Sequence, residues 1–201
     1  VYWDDLAAGF AAAARHGFDA VEIFPPTANA VSIGAARELM DRYSLKVAAV
    51  GTGAGWVKHK LRLTDPDSAV RAKAREFIHG IINLGGYLGA PVIIGSMQGR
   101  WEGAVSRGQA LDWLAEELTA LSERAAAHQQ VLLYEPLNRY ETNLCNRNAD
   151  AADFVTTRGL KNVRLRTGLR WLQQAKQLLR LFNILRLLRM RPKAVLTACF
   201  M

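Results

Sequence analysis

Short apolar runs alternating with helical stretches constrain this chain more than any other feature. Residues 18–24 read as a strand stopped by Pro25 and Pro26. A second strand, 46–50, runs into Gly51-Thr52-Gly53-Ala54-Gly55. A third, 91–94, enters a turn at Gly95, and a fourth, 131–135, breaks at Pro136. Helical stretches lie between them: 5–16, ended by Gly17; 33–43; 68–84, announced by Thr64-Asp65-Pro66-Asp67; and 106–128. Another helix begins at 150–156, and 162–165 offers a fifth strand. This alternation predicts an α/β fold of parallel strands joined by crossover helices. A (β/α) barrel and a doubly wound sheet both satisfy the pattern. The glycine-rich run at 51–55 lacks the spacing of a dinucleotide or Walker-type phosphate loop, and we read it as a flexible connection.

At 201 residues with 50% hydrophobic composition, the chain can bury one sizeable core and is not a disordered chain. Two cysteines, Cys145 and Cys199, rule out a disulfide scaffold. With no basic flank followed by an apolar run near Val1, they predict a cytoplasmic setting. Residues 77–99 carry no Asp, Glu, Lys or Arg, a length that spans a bilayer. They also hold six glycines, Pro91, Asn83 and Gln98, so a buried helix end, a turn and a strand explain them better than a membrane span. Charge is divided sharply. Residues 1–153 carry 15 basic and all 18 acidic side chains, whereas 154–201 carry 11 basic and none acidic. The basicity therefore belongs to the tail, and the body is mildly acidic.

In a parallel barrel, chemistry sits on the loops that follow the strands. Those loops carry Glu22, then Trp56 and His59, then Gln98 and Trp101. The densest set follows the fourth strand: Glu135, Asn138, Arg139, Tyr140, Glu141 and Asn143. Four apolar residues precede Glu135, so its carboxylate sits at a buried strand end. There it needs a metal, an arginine or several hydrogen-bond donors. Mg²⁺ or Mn²⁺ suits carboxylate oxygens, and an ion pair to Arg139 or to an arginine of another loop serves equally well.

The segment from Glu135 to Asn143 (EPLNRYETN) resembles the fifth-strand signature of the sugar phosphate isomerase/epimerase family. Residues 17–22, 45–55 and 88–95 resemble its second, third and fourth strands, in order. The resemblance covers roughly residues 5–165 and implies a xylose isomerase-like TIM barrel, here partial, with about strands two to five or six. It implies an isomerase or epimerase that moves a proton next to the carbonyl of a sugar or sugar phosphate. The family's divalent metal, Mn²⁺ or Mg²⁺, is held by Glu, Asp, His and Glu on strands five to eight. Glu135 matches the first of these, as metal ligand and catalytic carboxylate, and Glu141 matches a second, substrate-contacting glutamate. Glu22, Trp56, His59, Asn138 and Asn143 become substrate-binding candidates.

The chain departs from that pattern in several places. The family's first strand has no counterpart. Gly168 stands where the metal-binding Asp belongs, Trp171 where the His is expected, and nothing beyond resembles strands seven and eight. The metal is therefore in doubt and the expected activity impaired. Residues 166–201 form a separate basic tail in which 171–185 read as an amphipathic helix. Two alternatives stand beside the isomerase: a non-catalytic barrel fragment whose tail binds a polyanion, and a nucleic-acid enzyme like the endonuclease IV branch. The last needs many histidine ligands, and only His59 lies on a strand-end loop. No specific nucleic acid is expected as a partner, and self-association stays open.

Overall fold

The computed structural model describes residues 5–166 and 195–199, the latter as backbone only. The elements run α1 (Leu6–Arg15), β1 (Ala20–Phe24), α2 (Ile33–Tyr43), β2 (Lys46–Gly51), α3 (Gly53–Val57), α4 (Ser68–Tyr87), β3 (Val92–Ile94), α5 (Arg107–Ala127), β4 (Leu132–Tyr134), α6 (Asn148–Thr157), β5 (Val163–Leu165) and β6 (Val195–Cys199). The strands form one sheet in the order β5-β4-β3-β2-β1-β6, and every pairing is parallel. The charge-free stretch resolves into the end of α4, a turn and β3. Among the described residues, no helix is long and apolar enough to cross a membrane.

Side-chain alternation gives the sheet two unlike faces. Val21, Ile23, Val47, Val50, Val92, Ile94, Leu132, Tyr134 and Val163 point into one apolar core. Phe10 of α1, Leu39 of α2, Ile78 and Ile82 of α4, Leu114 and Leu118 of α5 and Phe154 of α6 share that core. Each such side chain contributes roughly 1.5–3 kcal/mol by leaving water. The in-facing residues are two apart on β1 and three apart on β2, because the register slips between Val21 and Glu22. That bulge turns Ala49 to the other face, beside Glu22.

The other face is concave, and an ion pair measures its curvature. In a flat sheet, β1 and β5 would lie about 19 Å apart at the usual strand spacing of about 4.8 Å. Yet Arg166, one residue past β5, places its Nη2 2.8 Å from both oxygens of Glu22 on β1. The sheet must therefore curl as a barrel wall does.

Three sequence expectations change. The run at 51–55 is not a flexible loop: Gly51 ends β2, and α3 starts at Gly53. A side chain on Gly51 would collide with the Phe24 ring, and one on Gly55 with Met97, so both glycines permit close packing. Thr64 does not cap α4; Asp67 does, accepting from the Ala69 amide at 2.8 Å. Thr64 is buried instead, and its hydroxyl meets the carbonyls of Gln98 and Arg100. Finally, β6 is an unforeseen strand, paired with β1 from Ala20↔Val195 to Phe24↔Cys199. It runs along the edge where the resemblance places a preceding strand. The basic helix expected over 171–185 lies outside the described residues, as do Gly168 and Trp171.

Candidate functional site at the carboxyl ends of the strands

The ladder continues one residue past the strands. The Glu135 amide donates to the Ile94 carbonyl at 3.0 Å, and the Arg166 amide to the Tyr134 carbonyl at 2.9 Å. Leu132 and Tyr134 are fully buried toward the helices, which turns Leu133 and Glu135 to the concave side. Glu135 therefore projects inward at the layer nearest the loops.

There it meets two other charges. Arg166 Nη1 donates to Glu135 Oε1 at 2.8 Å, while its Nη2 contacts Glu22. One guanidinium thus ties carboxylates from β1 and the end of β4. All three side chains are largely buried, with 20% exposure for Arg166, 9% for Glu22 and 16% for Glu135. Burial raises the Glu135 pKa above the ordinary carboxylate value. Arg166 opposes the rise, and the negative charges of Glu22 and Glu141 add to it. A methyl group on Gly95 would stand 3.4 Å from Glu135 Oε2, so the end of β3 flanks the second oxygen.

Gln98 fixes the site from beneath. It is fully buried, and its Nε2 donates to the carbonyls of Gly95 at 3.0 Å and Glu135 at 3.1 Å. Its Oε1 accepts from the Tyr134 hydroxyl at 2.8 Å. The loop after β4 is tied down along its length. Thr142 donates to the Gly99 carbonyl at 2.8 Å, and Asn146 to the carbonyls of Leu137 and Thr142.

The remaining candidates fall into two groups. Asn138 donates through Nδ2 to Glu141 Oε2, so it aims that carboxylate directly. Asn143 faces elsewhere. Its side chain pairs with the Trp101 amide at 3.0 Å and carbonyl at 2.9 Å, joining the loops after β3 and β4. Trp56 on α3 is half-buried, with Lys60 Nζ 5.4 Å and Arg62 6.0 Å from its ring. His59 is exposed, with Nε2 3.1 Å from the Pro26 carbonyl oxygen and its ring tilted against Phe77. His16 and His128 sit at helix ends and His79 lies within α4, so the four histidines do not assemble a multi-metal centre.

Sequence reading placed Gln98 on a strand-end loop without giving it a role, and it did not single out Arg166. A usable signal existed for Arg166: it lies two residues after Arg164 at a strand end, where a buried glutamate needs a positive partner. The same geometry tests the divalent ion implied by the resemblance. Among the described residues, no three of His, Cys, Asp and Glu come together to hold an ion. The two inward carboxylates already share a fixed guanidinium, so these residues do not fit the family's metal.

Comparison with known proteins bears on this site. The family profile described as a xylose isomerase-like TIM barrel matches residues 10–174. D-allulose 3-epimerase from Methylomonas sp., solved with D-allulose, superposes with a TM-score of 0.70 at 25% identity, covering 83% of this chain and 59% of that one. An L-ribulose 3-epimerase structure gives 0.63 at 28% identity, covering 76% and 51%. An AP endonuclease of family 2 from Brucella melitensis gives 0.67 at 16% identity, covering 81% and 62%, a likeness of fold alone. The chain thus spans less than two thirds of the length of each. No curated protein matches it in sequence.

Proposed function

Because the chain belongs to the xylose isomerase-like TIM-barrel family, we propose that its concave strand ends bind a ketose or its phosphate, with Glu135 and Glu141 moving a proton next to the carbonyl. The observation that supports this reading is the inward projection of Glu135, whose carboxyl feels the negative charge of Glu141. A buried carboxylate with a raised pKa is a stronger base toward a carbon-bound proton than an exposed one. Glu141, aimed by Asn138, stands on the loop above. Turnover is expected to be weak, because among the described residues no three of His, Cys, Asp and Glu come together to hold an ion that would stabilise an enediolate.

The test is deuterium incorporation from heavy water into D-fructose or D-allulose, followed by NMR, with and without Mn²⁺. Slow exchange next to the carbonyl, lost in both Glu135→Gln and Glu141→Gln, is the expected result. No exchange above buffer would defeat the assignment. Epimerisation at an ordinary rate of roughly 1–1000 per second with Mn²⁺ would defeat the impairment.

A further inference from the structure

We infer that Arg166 is a built-in cation standing in for a divalent ion, and that the site takes up Mn²⁺ only when this guanidinium is removed. Three observations carry the inference. First, the guanidinium lies between carboxylates from two strands, contacting both oxygens of Glu22 and one of Glu135, each at 2.8 Å. Each terminal nitrogen serves a different carboxylate, Nη2 that of Glu22 and Nη1 that of Glu135, so one guanidinium bridges the two through charge-assisted hydrogen bonds. Second, Arg166 is not an exposed side chain folded back by chance. Its own amide is held on the Tyr134 carbonyl, so its side chain enters the concave face from the end of β5. Third, three of the four carboxylate oxygens that a hard cation would need are already occupied. Mg²⁺ and Mn²⁺ bind oxygen at close range and ask for several ligands. A fixed positive charge among those oxygens repels such an ion while satisfying the carboxylates itself.

The arrangement also gives Arg166 a mechanical role. It connects residues 144 and 31 positions away in sequence, which lie on strands separated by two others. A bound ion linking strand ends would serve the same purpose. The inference does not depend on the substrate proposed above, because no sugar enters its test.

The experiment is titration of the full chain with Mn²⁺, reading free hydrated Mn²⁺ by its electron paramagnetic resonance signal. Wild type, Arg166→Gln, Arg166→Lys, Glu135→Gln and the double variant Arg166→Gln/Glu135→Gln are compared, with circular dichroism to verify folding. Arg166→Gln should bind one Mn²⁺ at least tenfold more tightly than wild type, and the double variant should lose that binding. Arg166→Lys should resemble wild type, because it keeps the charge. Equal binding by wild type and Arg166→Gln, or gained binding that survives Glu135→Gln, would overturn the inference. Should Arg166→Gln not fold, wild type, Arg166→Met and Glu135→Gln still decide. Wild-type Mn²⁺ binding abolished by Glu135→Gln overturns it, and Arg166→Met, used in place of Arg166→Gln, carries the gain of binding that upholds it.

Discussion

On the helix-covered face of the sheet, Val92, Ile94, Leu132 and Tyr134 share one apolar core with Ile78, Leu114 and Leu118. On the concave face, Glu22, Glu135 and Arg166 meet one another across the curl. The covered face follows from periodicity. Any apolar side chain at the right phase satisfies it, because hydrophobic burial has no direction. The concave face is a matching problem between signs of charge. Glu135 in that layer is costly alone and acceptable only when a cation arrives from elsewhere. The first face is built from neighbours in sequence; the second needs strand ends that only the curled wall brings together.

The contrast should be sharpest in the core. Leu118→Ala, at a fully buried position on α5, is expected to lose about 2–5 kcal/mol in urea unfolding, through lost transfer energy and the cavity left behind. A loss below about 1 kcal/mol would show that this face is not close-packed. A smaller effect is expected at Gln98, which bridges the two faces through Tyr134 and the Glu135 carbonyl. Gln98→Ala leaves a buried hydroxyl without its acceptor and should cost about 1–3 kcal/mol. It should also weaken any deuterium exchange that depends on Glu135. Unchanged exchange would make Gln98 a prop for the core alone.

The smallest effect is electrostatic. Burial holds the Glu135 pKa above its ordinary value despite Arg166. The folded chain therefore keeps a proton there that the unfolded chain has lost. Stability from this group is full below the unfolded value of about 4.3 and falls as pH rises through the raised folded value. Glu135→Gln removes that dependence. The stability of wild type relative to the variant should therefore decline with rising pH across this window, measured by parallel urea titrations. A difference that grows with pH would mean that Arg166 outweighs burial, and that the ion pair dominates the site.

Much of the scaffold is written in local sequence. The bounds of α2 and the start of α4 follow from periodicity and capping. β1, β3, β4 and β5 lie within the apolar runs that announce them, β2 extends its run by Gly51, and all pair in parallel. Alternation alone separates Leu132 and Tyr134 from Leu133 and Glu135, so the inward aim of Glu135 was legible before any coordinates. These features depend on neighbours a few residues apart, which a sequence displays directly. Tertiary structure decided the rest. Whether Gly51 and Gly55 marked a loop or a tight contact depended on Phe24 and Met97. Thr64, in the run that announces α4, turned away from the helix because the loop after β3 offered two carbonyls. β6 took a place beside β1 that no local signal assigns. Glu135 required a cation by its burial, and sequence offered Arg139 or an arginine of another loop without choosing between them. Arg166 fills the role because the curl of the wall brings β5 within reach of β1, and curvature belongs to the whole sheet rather than to any one strand.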